Sequence, residues 1–510
     1  MDSYGHRGTK IARNTLMLYV RMLVLMLVGL YTSRVVLGAL GEDDFGVYNV
    51  VGGVVSMFTI ISGALNSAVS RFITFEMGKG ADAQLNKVYS TAVTIQLILA
   101  AVVVLLAEPL GLWFIDNKMT IDPSRIPAAR WVLHFSLLAF VINLMSVPQM
   151  ASITAHEYMS AYAYIGILDG LLRLGVAFLI LHSPIDRLIY YAALMAGVVQ
   201  IVRMAYGLYC RLHFEECRYR PVFDRPLIRE MFSFAGWNFI GVTSGVLRDH
   251  GGNILVNLFS GPAVNAARGV AVQLNGAVQG FVTNFMTAVN PQITKSYAAG
   301  EKEYMFSLVR RSSRMSFFLL FLIALPVIFN ADYLLSIWLK EVPEHSSLFV
   351  QLFLIFALSE SLSNPMITAM LATGNIRNYQ LVVGGIQLLN LPVSYVCLRM
   401  GAIPEVTVIV AIIISQICMW ARLLMLSKAT GFPVLPFLEE VYFSVLFKVV
   451  CGSLVVPLIL EAVKPEGIAG FLVSASVCVL WSMFVIMALG LQSDERKWIV
   501  NKIKDKFVRK

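Results

Sequence analysis

Apolar runs of about one membrane thickness alternate along the whole chain with short polar stretches. A bilayer core needs roughly 20 consecutive apolar residues per helix, and runs of that length recur throughout. The pattern predicts fourteen spans, near 15–37, 44–66, 88–108, 130–151, 162–182, 188–210, 232–258, 268–290, 312–331, 347–372, 380–399, 403–425, 441–462 and 468–490. Twelve would remain if one weak pair lay along the interface. The run from Thr15 to Leu37 is too long for the apolar core of a cleavable signal and lacks a small-residue cleavage site, so it reads as the first membrane helix. The expected fold class is an all-α polytopic membrane protein.

Composition agrees with the pattern. The chain is 58% hydrophobic and 14% charged, with a mean hydropathy of +0.73, whereas soluble domains run nearer a quarter charged. A formal charge of +9 would suggest nucleic acid in a soluble protein. Here no basic-aromatic motif supports that partner, and the cations fall instead into alternate loops. Twenty-six Lys and Arg lie in loops of one set, among them Arg71, Arg225, Arg229, Arg314, Arg377 and Arg422, against seven in the other set. That bias assigns the rich set to the cytoplasm. With an even number of spans, both termini are expected in the cytoplasm, and Glu42-Asp43-Asp44 outside. At the end of the chain, Ile499, Ile503 and Phe507 share one helical face among lysines, and Asp494 and Glu495 suit a helix N-terminus. Residues 493–510 thus read as a basic amphipathic helix on the cytoplasmic leaflet.

A shift of 220 lays Ala68, Val69, Ile73, Thr74 and Gly80 on Ala288, Val289, Ile293, Thr294 and Gly300, and Val36, Gly41 and Val50 on Val256, Gly261 and Val270. A shift of 217 lays Pro148, Ala155 and Tyr162 on Pro365, Ala372 and Tyr379. Six-helix repeats keep their orientation, so the halves would be parallel, as in transporters whose lobes rock about a central site. The expected organisation is a first lobe over 1–220, a second over 221–430, two further helices over 431–492 and the basic tail over 493–510.

Ionisable residues at membrane depth are costly and tend to face cavities or one another. The candidates are Arg21, Arg34, Asp169, Arg173 and Arg203 in the first half, and Arg248, Asp249, Arg268, Glu360 and Lys448 after it. Arg248-Asp249-His250-Gly251-Gly252 stands in the middle of the run from Trp237 to Phe259, and the paired glycines suggest a weakened or broken helix beside a cavity. The alternative is a structural Arg–Asp pair between helices. Asp169 and Arg173 are four apart and could pair locally. Arg21, Arg34, Arg268 and Lys448 could snorkel. Glu360, beside Ser359, Ser361, Ser363, Asn364 and Pro365, suits a cavity wall, a proton site or a bonded helix contact. Arginines outnumber acids, which suits an anionic substrate such as a diphosphate. The six cysteines form no CxxC pair, and the seven histidines are scattered. Neither a metal site nor a catalytic cluster is expected.

The segments Phe45-Gly46-Val47-Tyr48-Asn49, Ser70-Arg71-Phe72, Asn253-Ile254-Leu255-Val256-Asn257, Val264-Asn265-Ala266-Ala267-Arg268-Gly269 and Asn290-Pro291-Gln292-Ile293 resemble the Wzx-type polysaccharide flippases of the MOP superfamily, which also holds the MATE exporters and lipid II flippases. The resemblance covers spans one to twelve at least. It implies two parallel six-helix bundles around a central cavity, plus two C-terminal helices. It also implies passage of an undecaprenyl-diphosphate-linked oligosaccharide from inner to outer leaflet for O-antigen, capsule or exopolysaccharide synthesis. By that carry-over Arg248, with Arg21 and Arg34, and further Arg268 and Arg173, would meet the diphosphate. Asp249, Glu360 or Asp169 would couple H+ or Na+, with no other cofactor. The lipid-linked oligosaccharide, membrane lipid and other polysaccharide-assembly proteins are the implied partners. A MATE-type drug or metabolite exporter is the first rival. A membrane glycan polymerase or acyltransferase is the second, and it would need a larger outer loop or a clustered His or Asp site. A channel is the third, with no filter-like motif to support it.

Overall fold

A computed structural model describes residues 2–56, 58–80, 84–119, 121–339, 341–463 and 467–497. Every regular element among them is helical. Eleven of these helices are long and apolar enough to cross a bilayer, from Lys10–Gly41 to Gly467–Gly490. The regions expected to span near 232–258 and 268–290 are also helical, and that near 44–66 is helical on either side of Phe58 in its described residues, but none is among the eleven. They carry the charged and amide side chains, Arg248-Asp249-His250 and Asn275 to Asn284 among them, that lower their hydropathy.

Two compact units divide the chain. The first comprises Met1–Thr243, Thr287–Gly300 and Gly374–Arg377, and the second Ser244–Met286, Glu301–Thr373 and Asn378–Lys510. In the first, α1 (Asp2–Ser56) is followed by α2 (Thr59–Gly78), α3 (Leu85–Asn117), α4 (Ile126–Ala155), α5 (Met159–Leu179) and α6 (Arg187–His213), and α7 (Arg225–Ala298) then begins. The inner face of α3 carries Ala100, Val103, Ala107, Gly111 and Ile115, all buried against Val132 and Leu133 of α4. Leu105, Leu106 and Leu110 on its other side are exposed. A helix apolar all round is one that meets lipid on the side facing away from the core.

Polar residues fasten the ends of these helices. Arg125, ahead of α4, bonds to Asp44 of α1 and reaches Asp186 at 2.6 Å. Asp186 also caps α6 by accepting from the amides of Leu188 and Ile189 at 3.0 and 3.2 Å. In the turn between α4 and α5, Glu157 accepts from Lys295 Nζ, Gln292 Nε2 and Lys10 Nζ, each at 2.9 Å. Asn14 Nδ2 donates to its carbonyl oxygen.

In the second unit, the rest of α7 leads to α8 (Lys302–Phe329), α9 (Ala331–Trp338), α10 (Ser346–Ser361), α11 (Asn364–Ala372), α12 (Arg377–Leu388), α13 (Asn390–Arg399) and α14 (Val406–Thr430). Then come α15 (Val434–Phe437), a π-helix over Leu438–Val450, α16 (Cys451–Val463) and α17 (Gly467–Val485). Pro365 opens α11 and separates it from α10, as its ring and missing N–H require. The C-terminal helices are tied to α8 by charge. Arg314 donates to Glu495 at 2.9 Å, Arg311 meets the same carboxylate at 3.1 Å, and Arg310 meets Glu440 at 3.1 Å. Glu495 is therefore a buried ion-pair partner as well as part of the short helix over 493–497. The expected amphipathic face of Ile499, Ile503 and Phe507 lies outside the described residues.

Candidate functional site

The charged cluster of α7 lies in the second unit, and there the structure corrects one expectation. The helix runs unbroken through Arg248-Asp249-His250-Gly251-Gly252, and its non-helical residue is Gly261 (φ 83°, ψ 178°). The paired glycines serve close packing instead. The Leu391 side chain occupies the space where a Cβ of Gly251 would lie, and Arg268 Nη2 sits 2.6 Å from that of Gly252.

Arg248, Asp249 and Arg268 line one small cavity with Phe353, Phe356 and Asn390. Arg248 and Phe356 also line a second, of about 100 Å³, with Glu360, Gln279, Thr283 and Asn364. That volume holds a few waters, not a sugar. Arg248 Nε donates to Asp249 at 2.8 Å, and its guanidinium lies 4.7 Å from the centre of the Phe356 ring. The pair is one residue apart on the same helix, so it does not join two helices. Arg268 is 4% exposed, which excludes snorkelling. It bonds to Asn253 Oδ1 and lies 5.2 Å over the Phe353 ring. Its Nε has no hydrogen-bond partner, and it makes no ion pair among the described residues. A guanidinium held by an amide and a ring face has no carboxylate among the described residues to neutralise it.

Glu360 faces Arg422 across 3.5 Å. Arg422 is the residue of this site that the sequence does not single out: its place in the chain reads as a cytoplasmic loop, yet it is 2% exposed within α14. A polar chain continues from there: Ser359 and Ser415 hydroxyls are 2.5 Å apart, Gln416 bonds to Ser359, and the Tyr442 hydroxyl donates to Gln416 at 2.9 Å. The period of α14 held the signal, since Arg422 falls four residues after Cys418 on its buried face.

Lys448, in the second unit, is exposed, and the remaining candidates belong to the first unit and are not gathered into one cavity. Arg21 lies 4.5 Å over the Tyr162 ring in space left by Gly166, and its Nε has no hydrogen-bond partner among the described residues. Asp169 and Arg173 pair locally at 2.9 Å. Arg34 is exposed. Among the described residues no group of three or more His, Cys, Asp or Glu is placed to hold a metal ion.

Residues 11–297, more than half of the chain, match the family described as polysaccharide biosynthesis protein. The uncharacterized membrane protein EpsK of Bacillus subtilis (strain 168) is 21% identical over 327 residues, 62% of this chain and 63% of that protein. The match thus spans less than two thirds of that relative. MATE in complex with MaL6 superposes with a TM-score of 0.72 at 11% identity, covering 83% of this chain and 97% of that one. A MOP superfamily transporter from Pyrococcus furiosus Vc1 (DSM3638), described as having a binding pocket of reverse polarity that suggests a different function, gives 0.70 at 12% identity, covering 83% and 96%. The chain is therefore a multi-pass membrane protein with the fold of the MATE and MOP superfamily transporters, and it belongs to the polysaccharide biosynthesis protein family.

Proposed function

We propose that this protein carries a lipid-diphosphate-linked oligosaccharide from the inner to the outer leaflet of a bacterial inner membrane by alternating access. The observation that carries this reading is Arg268, a buried cation without a carboxylate partner among the described residues, on a cavity wall shared with Arg248. Family membership supports a polysaccharide intermediate as cargo, and the basic wall supports an anionic group on it. The sugar would pass through the cavity once the lobes open, while the lipid tail stays in the bilayer. Asp249 and Glu360 are the proposed sites of H+ or Na+ coupling, because each is an acid on the cavity wall whose partner is an arginine the substrate could draw away.

The likeness to MATE exporters favours a drug or metabolite exporter as a second reading. The P. furiosus neighbour gives pocket polarity weight in this fold, and a basic wall repels cationic drugs. The test is a strain lacking the gene. A lipid-diphosphate-linked oligosaccharide should accumulate facing the cytoplasm, the wild-type gene should clear it, and R248A and R268A should not. An intact surface glycan with lowered drug tolerance would transfer the protein to the exporter reading.

A further inference from the structure

The first unit carries a second basic feature, which the transport reading leaves unused. The start of α7 and the turn over Gly374–Arg377 wall an open cleft of about 850 Å³. Arg225, Arg229 and Arg377 line it together with the polar Ser233 and Asn375, and Glu230 is the one carboxylate on the wall. None of the three arginines makes an ion pair among the described residues. The acid next to Arg225 in sequence, Asp224, is already engaged by Lys87 and by the amide of Leu227. The Arg377 guanidinium lies 5.2 Å over the Trp237 ring, which fixes its plane and leaves its edge donors free to bond. A fourth cation stands behind the wall. Arg71 is 9% exposed and rests against Gly374, where a Cβ would come within 2.6 Å of Nη2, and lies 5.8 Å from the Phe234 ring. Gly374 and Phe234 both line the cleft.

Planar guanidinium forks bind phosphate oxygens bidentately, as they do carboxylates; three of them on one wall suit the higher charge of a phosphate, and the volume suits an organic phosphate rather than a bare ion. We propose that this cleft binds a phosphate ester, with Arg225, Arg229 and Arg377 gripping its oxygens. Its role rests on the transport reading: it would be the place where the diphosphate of the cargo docks before entering the cavity. The same chemistry is offered by the headgroup of an anionic phospholipid.

The full chain in phosphatidylcholine nanodiscs is titrated calorimetrically with inorganic pyrophosphate and with farnesyl diphosphate, then again in nanodiscs containing phosphatidylglycerol. The expected result is that R225Q/R229Q/R377Q weakens binding of both diphosphates by about tenfold or more. All three side chains are exposed, so the variant should fold. E230Q, which removes the opposing carboxylate, should tighten binding severalfold, a gain that misfolding cannot imitate. Competition by phosphatidylglycerol assigns the cleft to bulk phospholipid, and its absence assigns it to the diphosphate; either result keeps the phosphate site. Unchanged affinity in the triple variant, or binding lost in R248A but kept in the triple variant, overturns the proposal. The accumulation assay reads transport and the titration reads the cleft, so each can fail without the other.

Discussion

Glu157 holds a left-handed backbone, φ 63°, which costs a non-glycine residue on the order of 1 kcal/mol. What retains it is its carboxylate, 6% exposed, bonded by Lys295, Gln292 and Lys10. Burial alone would raise the pKa of this carboxyl, but the two ammonium groups outweigh it and hold the value below the ordinary glutamate range. A folded-state pKa below the unfolded one gives stability that is present above the unfolded value, about 4.3, and is lost as pH falls through the folded value. E157Q should therefore lower stability at pH 7 by about 2 kcal/mol, the worth of hydrogen bonds to a charged group. It should also flatten the melting temperature against pH below about 4.5. Asp186, Glu216 and Asp224 are held low as well, so the diagnostic quantity is the wild-type curve minus the E157Q curve in detergent. A constant difference down to acid pH would refute the role. At this scale, the sequence marked Arg248 and Asp249, neighbours inside an apolar run. It places Arg71, Arg314 and Arg422 among the loop cations, whereas they are 9%, 2% and 2% exposed. Helices here extend past their apolar runs, so an arginine at the polar end of a run still packs against a neighbour.

Among the elements, α1 and α7 share one device. Gly41 (φ 78°, ψ 172°) and Gly261 (φ 83°, ψ 178°), aligned by the 220-residue shift, each interrupt an otherwise continuous helix with the same backbone. That region of φ/ψ is essentially closed to residues with a Cβ and costs about 1–3 kcal/mol. G41A and G261A should each lower thermal stability by that amount, or straighten the helix and abolish transport. Gly38 is helical with nothing within 4 Å of where its Cβ would lie. G38A should thus be neutral or slightly stabilising, and equal losses in all three variants would remove the argument. The sequence pairs Gly41 with Gly261 by the 220-residue shift but does not mark either as a kink, because a glycine alone does not show which backbone it adopts. The helix over Arg248–Gly252 was misjudged because glycine also serves close approach, and only the neighbours Leu391 and Arg268 distinguish the two uses.

For the whole molecule, parity of the spans decides sidedness. The eleven helices that are apolar enough to cross are an odd number and would place the two termini on opposite faces. The helical regions near 44–66, 232–258 and 268–290 would make the number even. Their low hydropathy has a physical origin: helices that line a polar cavity and shelter behind neighbours need less apolar surface than helices that meet lipid on most sides. Arg248, Asp249, Arg268, Gln279 and Thr283 all lie in two of these regions and line the cavities of the second unit. The bias of twenty-six cations against seven follows alternation when the number of crossings is even, because omitting any single span reverses the sign of every later loop. Fluorescent-protein fusions at both ends should therefore fluoresce, and alkaline phosphatase fusions at both ends should be inactive. A phosphatase fusion after Gly80 should be inactive and one after Asp122 active. Activity at one terminus alone would mean an odd number of spans, and the cavity-lining helices would then have to lie elsewhere than across the bilayer.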